Sequence, residues 1–321
     1  MYKKFYGFAR NPFEISPDPY FFYPTPRHNE ALASLTYGVY RRKGFVVVTG
    51  EVGTGKTLLV RFLLEALNRN NVASAYVYNP RLSVLEFLSH VLTDLRITVA
   101  GRTKSEMLSR LNNYLVARSR TGGTTALVVD EAQLLSWELL EEIRLLTNLE
   151  TSQHKLLQIV LAGQPELDQK LDSQDLRQLK QRIAFRCSLE PLGCEELRGY
   201  IHRRLELAGA KSHSATIFSD EAVGIIHKYS RGIPRLANTL CENSLVSGFS
   251  RQVKQITPDI VEEVAVSFRL GVVTAPCASN FDRSEDRKKI LQLFAQLMDE
   301  PDGVSRKQSM DIAPAPEMRP E

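Results

Sequence analysis

The run Phe45-Val46-Val47-Val48-Thr49-Gly50-Glu51-Val52-Gly53-Thr54-Gly55-Lys56-Thr57 decides how this chain folds. Its first part is apolar and β-branched, which suits a strand buried on both faces of a parallel sheet. Its second part fits G-x-x-x-x-G-K-[ST], and residues 58–67 continue as an amphipathic helix. The glycines let backbone N–H groups converge on phosphate oxygens, and the helix N-terminus adds a partial positive charge. Gly50, Glu51, Val52, Gly53, Thr54, Gly55, Lys56, Thr57 and Leu58 are therefore the expected nucleotide-binding residues. Lys56 is expected to reach the β- and γ-phosphates, and the Thr57 hydroxyl to bind Mg²⁺, which prefers a few hard oxygen ligands beside the substrate phosphates.

Outward from this run, strand-like stretches recur at residues 73–78, 125–129, 156–162 and 183–189, with helical patterns between most of them. Strands alternating with helices define an α/β layer on a parallel sheet. The stretch Ala126-Leu127-Val128-Val129-Asp130-Glu131 puts two acids at the end of a buried strand. Asp130 is expected to orient the Mg²⁺ shell, and Glu131 to polarise a water for in-line attack. The alternative for Glu131 is a cap on the following helix.

Three further side chains complete the candidate catalytic set. Gln164 ends the strand at 156–162, where it can hold the attacking water or sense the γ-phosphate; a local turn hydrogen bond is the other reading. Arg182 precedes the last strand at a domain edge, where an arginine can stabilise transition-state charge in a neighbouring subunit. A solvated surface position is its alternative, and Arg177 is the other candidate for that role. Arg235 follows Gly232-Ile233-Pro234 at a helix start, an unfavourable place for a cation unless a phosphate is near; an intradomain salt bridge is the competing reading.

Beyond Pro191 helical patterns take over, at 194–207, 220–229, 234–249 and 258–268, with Ser219, Pro234 and Pro258 at helix-start positions. The expected organisation is an N-terminal arm and first helix (1–43, the helix at 29–41), a P-loop core (44–191), a small all-helical lid (192–270) and a polar tail (271–321). The arm is rich in proline and aromatics, which argues against regular helix or strand and for wrapping on a folded body. Within the tail, 286–299 carries an apolar helical stripe, read either as packing on its own domain or as a partner-binding helix.

The composition narrows the function classes. With 321 residues, 43% hydrophobic and 24% charged, the chain can bury a large core. A formal charge of +4, from 41 basic and 37 acidic side chains, is no dense basic stripe, so nucleic acid is neither implied nor excluded. Cys187, Cys194, Cys241 and Cys277 show no zinc-ligand spacing and read as reduced thiols. Neither a signal-peptide h-region nor a membrane-length apolar run is visible, so a cytoplasmic protein is expected.

Several stretches together resemble the ATPase domain of the general secretion pathway protein A family, a bacterial AAA+ group related to transposition ATPases. They are Phe5-Tyr6-Gly7-Phe8, Asn11-Pro12-Phe13, Pro17-Asp18-Pro19, Pro26-Arg27-His28, Gly50 to Thr57, Asp130-Glu131-Ala132-Gln133, Gly163-Gln164-Pro165-Glu166-Leu167, Gln181-Arg182-Ile183 and Gly232-Ile233-Pro234-Arg235. The resemblance covers residues 1–268. It implies a five-stranded sheet with a helical lid, ATP hydrolysis at subunit interfaces and ring-like homo-oligomers such as hexamers. It carries sensor and arginine-finger roles to Gln164, Arg235 and Arg182. Secretion members carry a transmembrane segment and a peptidoglycan-binding region after the ATPase, and neither is visible after residue 268.

The leading expectation is a Mg²⁺-dependent ATPase that remodels an envelope, secretion or polysaccharide-export apparatus, held at the inner membrane through a partner. An ATP-gated DNA-binding or transposition-type recruitment ATPase is the alternative. A small-molecule phosphotransferase ranks third.

Overall fold

The computed structural model describes residues 2–14, 18–98, 103–210 and 214–271. In chain order the elements begin with α1 (Tyr2–Tyr6), α2 (Pro26–Tyr40), β1 (Phe45–Gly50), α3 (Lys56–Arg69) and β2 (Ala73–Val77). They continue with α4 (Val84–Asp94), α5 (Lys104–Arg120), β3 (Thr125–Val129), α6 (Trp137–Leu146), β4 (Leu157–Gly163), α7 (Pro165–Leu171), α8 (Arg177–Lys180) and β5 (Ile183–Leu189). The helices α9 (Cys194–Ala208), α10 (Ser214–Ile217), α11 (Asp220–Ser230), α12 (Pro234–Ser250) and α13 (Pro258–Ser267) complete the described chain. The expected tail helix at 286–299 lies outside the described residues, and among those residues no helix is long and apolar enough to cross a membrane.

All five strands are parallel, in the order β2-β3-β4-β1-β5. The three central strands, β1, β3 and β4, are buried at every position, whereas the edge strand β5 alternates between half-buried and exposed up to its last residue, the buried Leu189. That contrast follows from the sequence: uninterrupted Val, Ile and Leu runs need cover on both faces, and Ile183-Ala184-Phe185-Arg186 does not. The next strand after β1 in the chain is β2, at the far edge, while β1 itself sits between β4 and β5. The strand order therefore opens a crevice at the carboxyl end of β1, where ligands bind in open α/β sheets.

One face of the sheet packs on α4, α5 and α6 through Phe87, Leu88, Leu111 and Leu140. The other face packs on α2 and α3 through Leu35, Val39, Leu59 and Leu63. A third core joins α9, α11, α12 and α13 to the N-terminal arm, with Phe8, Phe13 and Phe21 buried among Leu197, Phe218, Ile226 and Leu240. The arm thus packs with the C-terminal helices, while α2, which follows it, packs on the sheet.

Local structure departs from expectation in three places. The arm begins with a helix, α1, because Tyr2 to Tyr6 precede its first proline, and it contains a 3-10 turn at Pro19–Phe21 capped by Asp18. Helix α2 starts at Pro26 instead of residue 29, since Thr25 caps it and Pro26 suits its first position. Strand β2 stops at Val77, leaving Tyr78 exposed.

Candidate functional site

The loop between β1 and α3 holds Gly53 at φ +85° and Gly55 at φ +105°, a left-handed backbone that a side chain would strain. A Cβ on Gly53 would also lie 2.7 Å from the Cβ of Arg235. Gly55 caps α3 without a side chain, so the first N–H groups of the helix are not covered by one. The Lys56 ammonium is buried and donates to the carbonyls of Gly50 at 2.7 Å and Glu51 at 2.9 Å. Burial lowers its pKa, and the nearby Glu131 and Asp130 carboxylates oppose that shift.

At the end of β3, Asp130 is buried and accepts from the Thr57 hydroxyl at 2.9 Å and from the Glu131 N–H at 2.9 Å. Burial raises its carboxyl pKa, and these hydrogen bonds pull it back. Tyr76 on β2 lies behind it, its hydroxyl 3.4 Å from Asp130 Oδ2; burial and that carboxylate push its pKa up to about 12. One hydroxyl and one carboxylate facing each other beside a phosphate-binding loop suit Mg²⁺, which keeps several waters and takes few protein ligands. Thr57 and Asp130 would hold the ion.

Glu131 sits at φ 52° and makes no side-chain cap to the 3-10 turn at Ala132–Leu134, so its carboxylate is not spent on the following helix. Its Oε2 accepts from Gln133 Nε2 at 2.6 Å and from Gln164 Nε2 at 3.3 Å. Gln164 likewise makes no side-chain cap to α7 and points across to β3. A cavity of about 250 Å³ is bordered by Gly53, Lys56, Thr57, Leu58, Glu131, Gln164 and Arg235. Arg235 reaches it from the start of α12, where its N–H lies 3.4 Å from the Gly53 carbonyl. Among the described residues Arg235 has no recorded ion pair.

Some expected residues lie outside this cavity. Gly50 and Glu51 do not border the cavity, and Thr54 borders a smaller one beside it; Gly50 and Glu51 offer carbonyls to Lys56, and a Cβ on Gly50 would lie 2.7 Å from the Leu189 carbonyl. Arg182 lies away from the cavity and donates to Thr147 Oγ1 and, at 3.3 Å, to the Arg144 carbonyl at the C-terminal end of α6. The alternative of a merely solvated Arg182 is therefore incorrect within this chain, because the side chain is half-buried in hydrogen bonds. Arg177 is exposed.

The arm contributes further residues, of which Asp18 belongs to the Pro17-Asp18-Pro19 stretch and Glu14 to no quoted motif. Glu14 and Asp18 border the same cavity, as do Tyr200, Arg204 and Asn238 from α9 and α12. A smaller adjoining cavity of about 60 Å³ is walled by Phe21, Phe22, His28, Gly55, Leu58 and Pro234. His28 is buried, with Nδ1 2.6 Å from Thr25 Oγ1 and Nε2 3.1 Å from the Thr54 carbonyl, and burial lowers its pKa. Its only sequence signal was membership of the Pro26-Arg27-His28 stretch.

A five-stranded parallel sheet with this loop at β1, paired acids at β3 and a helical C-terminal region defines the AAA+ class of P-loop proteins, and the chain belongs to it. The AAA domain model matches residues 39–171. Within that class the chain groups with general secretion pathway protein A: it is 42% identical over 252 residues to the Aeromonas hydrophila protein of that name. The match takes in 78% of this chain and spans 45% of the length of that relative.

The fold also matches solved structures at low identity. Cdc6p from Pyrobaculum aerophilum superposes with a TM-score of 0.60 at 19% identity, covering 81% of this chain and 71% of that one. The Aeropyrum pernix ORC2 protein gives 0.56 at 16% identity, covering 81% and 73%. The Thermotoga maritima RuvB Holliday junction branch migration motor gives 0.53 at 18% identity, covering 89% and 81%.

Proposed function

We propose that the chain binds Mg·ATP in the cleft between β1, β3 and α12 and hydrolyses it to ADP and phosphate. The observation that carries this reading is the convergence of Lys56, Glu131, Gln164 and Arg235 on one cavity, with Thr57 and Asp130 hydrogen-bonded beside it. When bound, Mg²⁺ supplies charge neutralisation on the β- and γ-phosphate oxygens. The loop N–H groups and Lys56 bind the triphosphate, and Arg235 draws the γ-phosphate toward α12. Glu131, held by Gln164, accepts the proton of the attacking water, and Gln164 orients that water. The apolar cavity between Phe22, Leu58 and Pro234 is the place for the base, which would then rest against the arm.

The client reading follows the 42% identical relative: turnover drives assembly or remodelling of an envelope, secretion or polysaccharide-export system. The working form in this reading is a ring-like homo-oligomer in the cytoplasm, held near the inner membrane by a partner. Phosphate release with Mg·ATP tests the chemistry, and Glu131→Gln should lower it by on the order of 10²-fold or more. Unchanged release would remove the hydrolytic role. Cells making only the Glu131→Gln protein test the coupling; normal envelope assembly in them, or an ATP-dependent mobility shift of DNA at low salt, would favour the DNA-recruitment reading instead.

A further inference from the structure

We propose that Gln133 is a positioning residue for Glu131, clamping one oxygen of that carboxylate so that the other faces the cleft; this rests on the hydrolytic reading above. Gln133 is 9% exposed, lies in the 3-10 turn after β3, and borders neither cavity. Its Nε2 donates to Glu131 Oε2 at 2.6 Å, the shortest contact that carboxylate makes among the described residues. Its Oε1 accepts from the Gln164 N–H at 3.0 Å. One side chain therefore ties the acid-bearing loop after β3 to the loop after β4.

The side-chain amide does both from one planar end. The NH₂ end must meet an anionic oxygen, and the carbonyl end must meet a backbone donor. Rotating the amide by half a turn would set its oxygen against the carboxylate and its NH₂ against an N–H, so the network itself settles the orientation. A glutamate would keep the acceptor and lose the donor, placing two carboxylates together. The site also makes room for this clamp: a Cβ on Gly163 would lie 3.1 Å from Gln133 Oε1 and 2.8 Å from Leu167.

The turn that carries Gln133 is itself held. Lys170 on α7 donates to the carbonyls of Gln133 at 2.5 Å and Leu135 at 3.0 Å. Glu131 occupies a left-handed backbone conformation at φ 52°, ψ 36°, which is strained for a non-glycine residue. Surrounding structure must over-determine such a conformation for it to persist. Asp130, which accepts from the Glu131 N–H, and the Leu134 N–H, which donates to the Glu131 carbonyl, hold this backbone, while Gln133 and Gln164 occupy the carboxylate Oε2 with two neutral amides.

Gln133→Met and the isosteric Gln133→Glu in the full chain test the proposal, with kcat for Mg·ATP and affinity for ADP measured separately. Both variants should lose on the order of 10- to 100-fold in kcat, as expected when a reacting group is misplaced by about 1 Å. ADP affinity should stay within about twofold, since Gln133 itself borders neither cavity. In a Glu131→Gln background, adding Gln133→Met should lower turnover no further, because the clamp acts through that carboxylate. Wild-type kcat in both Gln133 variants, or a further proportional fall in the Glu131→Gln background, would overturn the clamp while leaving hydrolysis intact. Unchanged turnover in Glu131→Gln alone would overturn the base assignment and the clamp with it.

Discussion

The imidazole of His28 meets the Thr54 carbonyl at 3.1 Å, so a residue of the helix preceding the sheet holds the phosphate-binding loop from outside. With Nδ1 2.6 Å from the Thr25 hydroxyl, the neutral tautomer that donates from Nε2 satisfies both contacts. Burial lowers the His28 pKa below the ordinary histidine value. Between the two values the unfolded chain binds a proton that the folded chain does not, so stability rises with pH there. Stability from this group is thus complete above about pH 6.5 and declines as pH falls toward the folded pKa. Thermal unfolding from pH 8 to 5 should show that decline, and His28→Gln should flatten it; parallel curves for the two proteins would contradict the assignment.

Thr57 and Asp130 face each other at 2.9 Å, and a magnesium ion held there would take one oxygen from each. Asp130→Asn should keep the fold and lower the gain in nucleotide affinity that Mg²⁺ brings by about tenfold or more, equivalent to ~1.4 kcal/mol. Titration of a fluorescent ATP analogue with and without EDTA reads this directly. An Asp130→Asn protein with the full Mg²⁺-dependent gain would move the metal elsewhere.

Arg182 tests the assembly proposal, because within its own chain it caps the C-terminal end of α6 through Arg144 and Thr147. Losing two hydrogen bonds from a charged donor should destabilise Arg182→Ala by about 1–3 kcal/mol. If the same side chain also serves a neighbour's site, Arg182→Ala subunits mixed with Lys56→Ala subunits should recover turnover that neither shows alone. No recovery, together with recovery in the matching Arg177→Ala mixture, would assign the trans role to Arg177.

The sheet and the phosphate-binding loop were legible because each rests on contiguous residues: apolar runs for β1, β3 and β4, and a glycine spacing that only one turn geometry satisfies. The helix starts at Ser219, Pro234 and Pro258 were readable for the same local reason, and the structure caps or begins α11, α12 and α13 there. What escaped depends on distant partners. His28 matters only because Thr54 comes to it across the loop, and Gln133 only because a 3-10 turn and the β4 loop bring Glu131 and the Gln164 N–H to its two ends. Helix α1 was missed because the prolines that define the arm begin at Pro12, after the helix has ended. The contacts of Arg182 within its own chain escape the sequence because nothing local announces that α6 ends against it.

The arm supplies a last prediction, since the sequence offered only its aromatics and the structure shows what they meet. Phe13 is fully buried and packs edge-on against Phe218 at 6.1 Å, and buried Arg204 donates from Nε to the Pro12 carbonyl at 2.6 Å. Tyr20, a few residues on, is 48% exposed, with Arg10 over its ring. Removing a fully buried phenylalanine should cost about 3–5 kcal/mol, whereas an exposed tyrosine has far less apolar area to lose. Because Glu14 and Asp18 of the same arm border the nucleotide cavity, Phe13→Ala should also weaken ADP binding at temperatures where the protein is still folded. Denaturant unfolding and ADP titration of Phe13→Ala and Tyr20→Ala check both parts. Equal, small effects in the two variants would mean that the arm contributes neither to the helical core nor to the cleft.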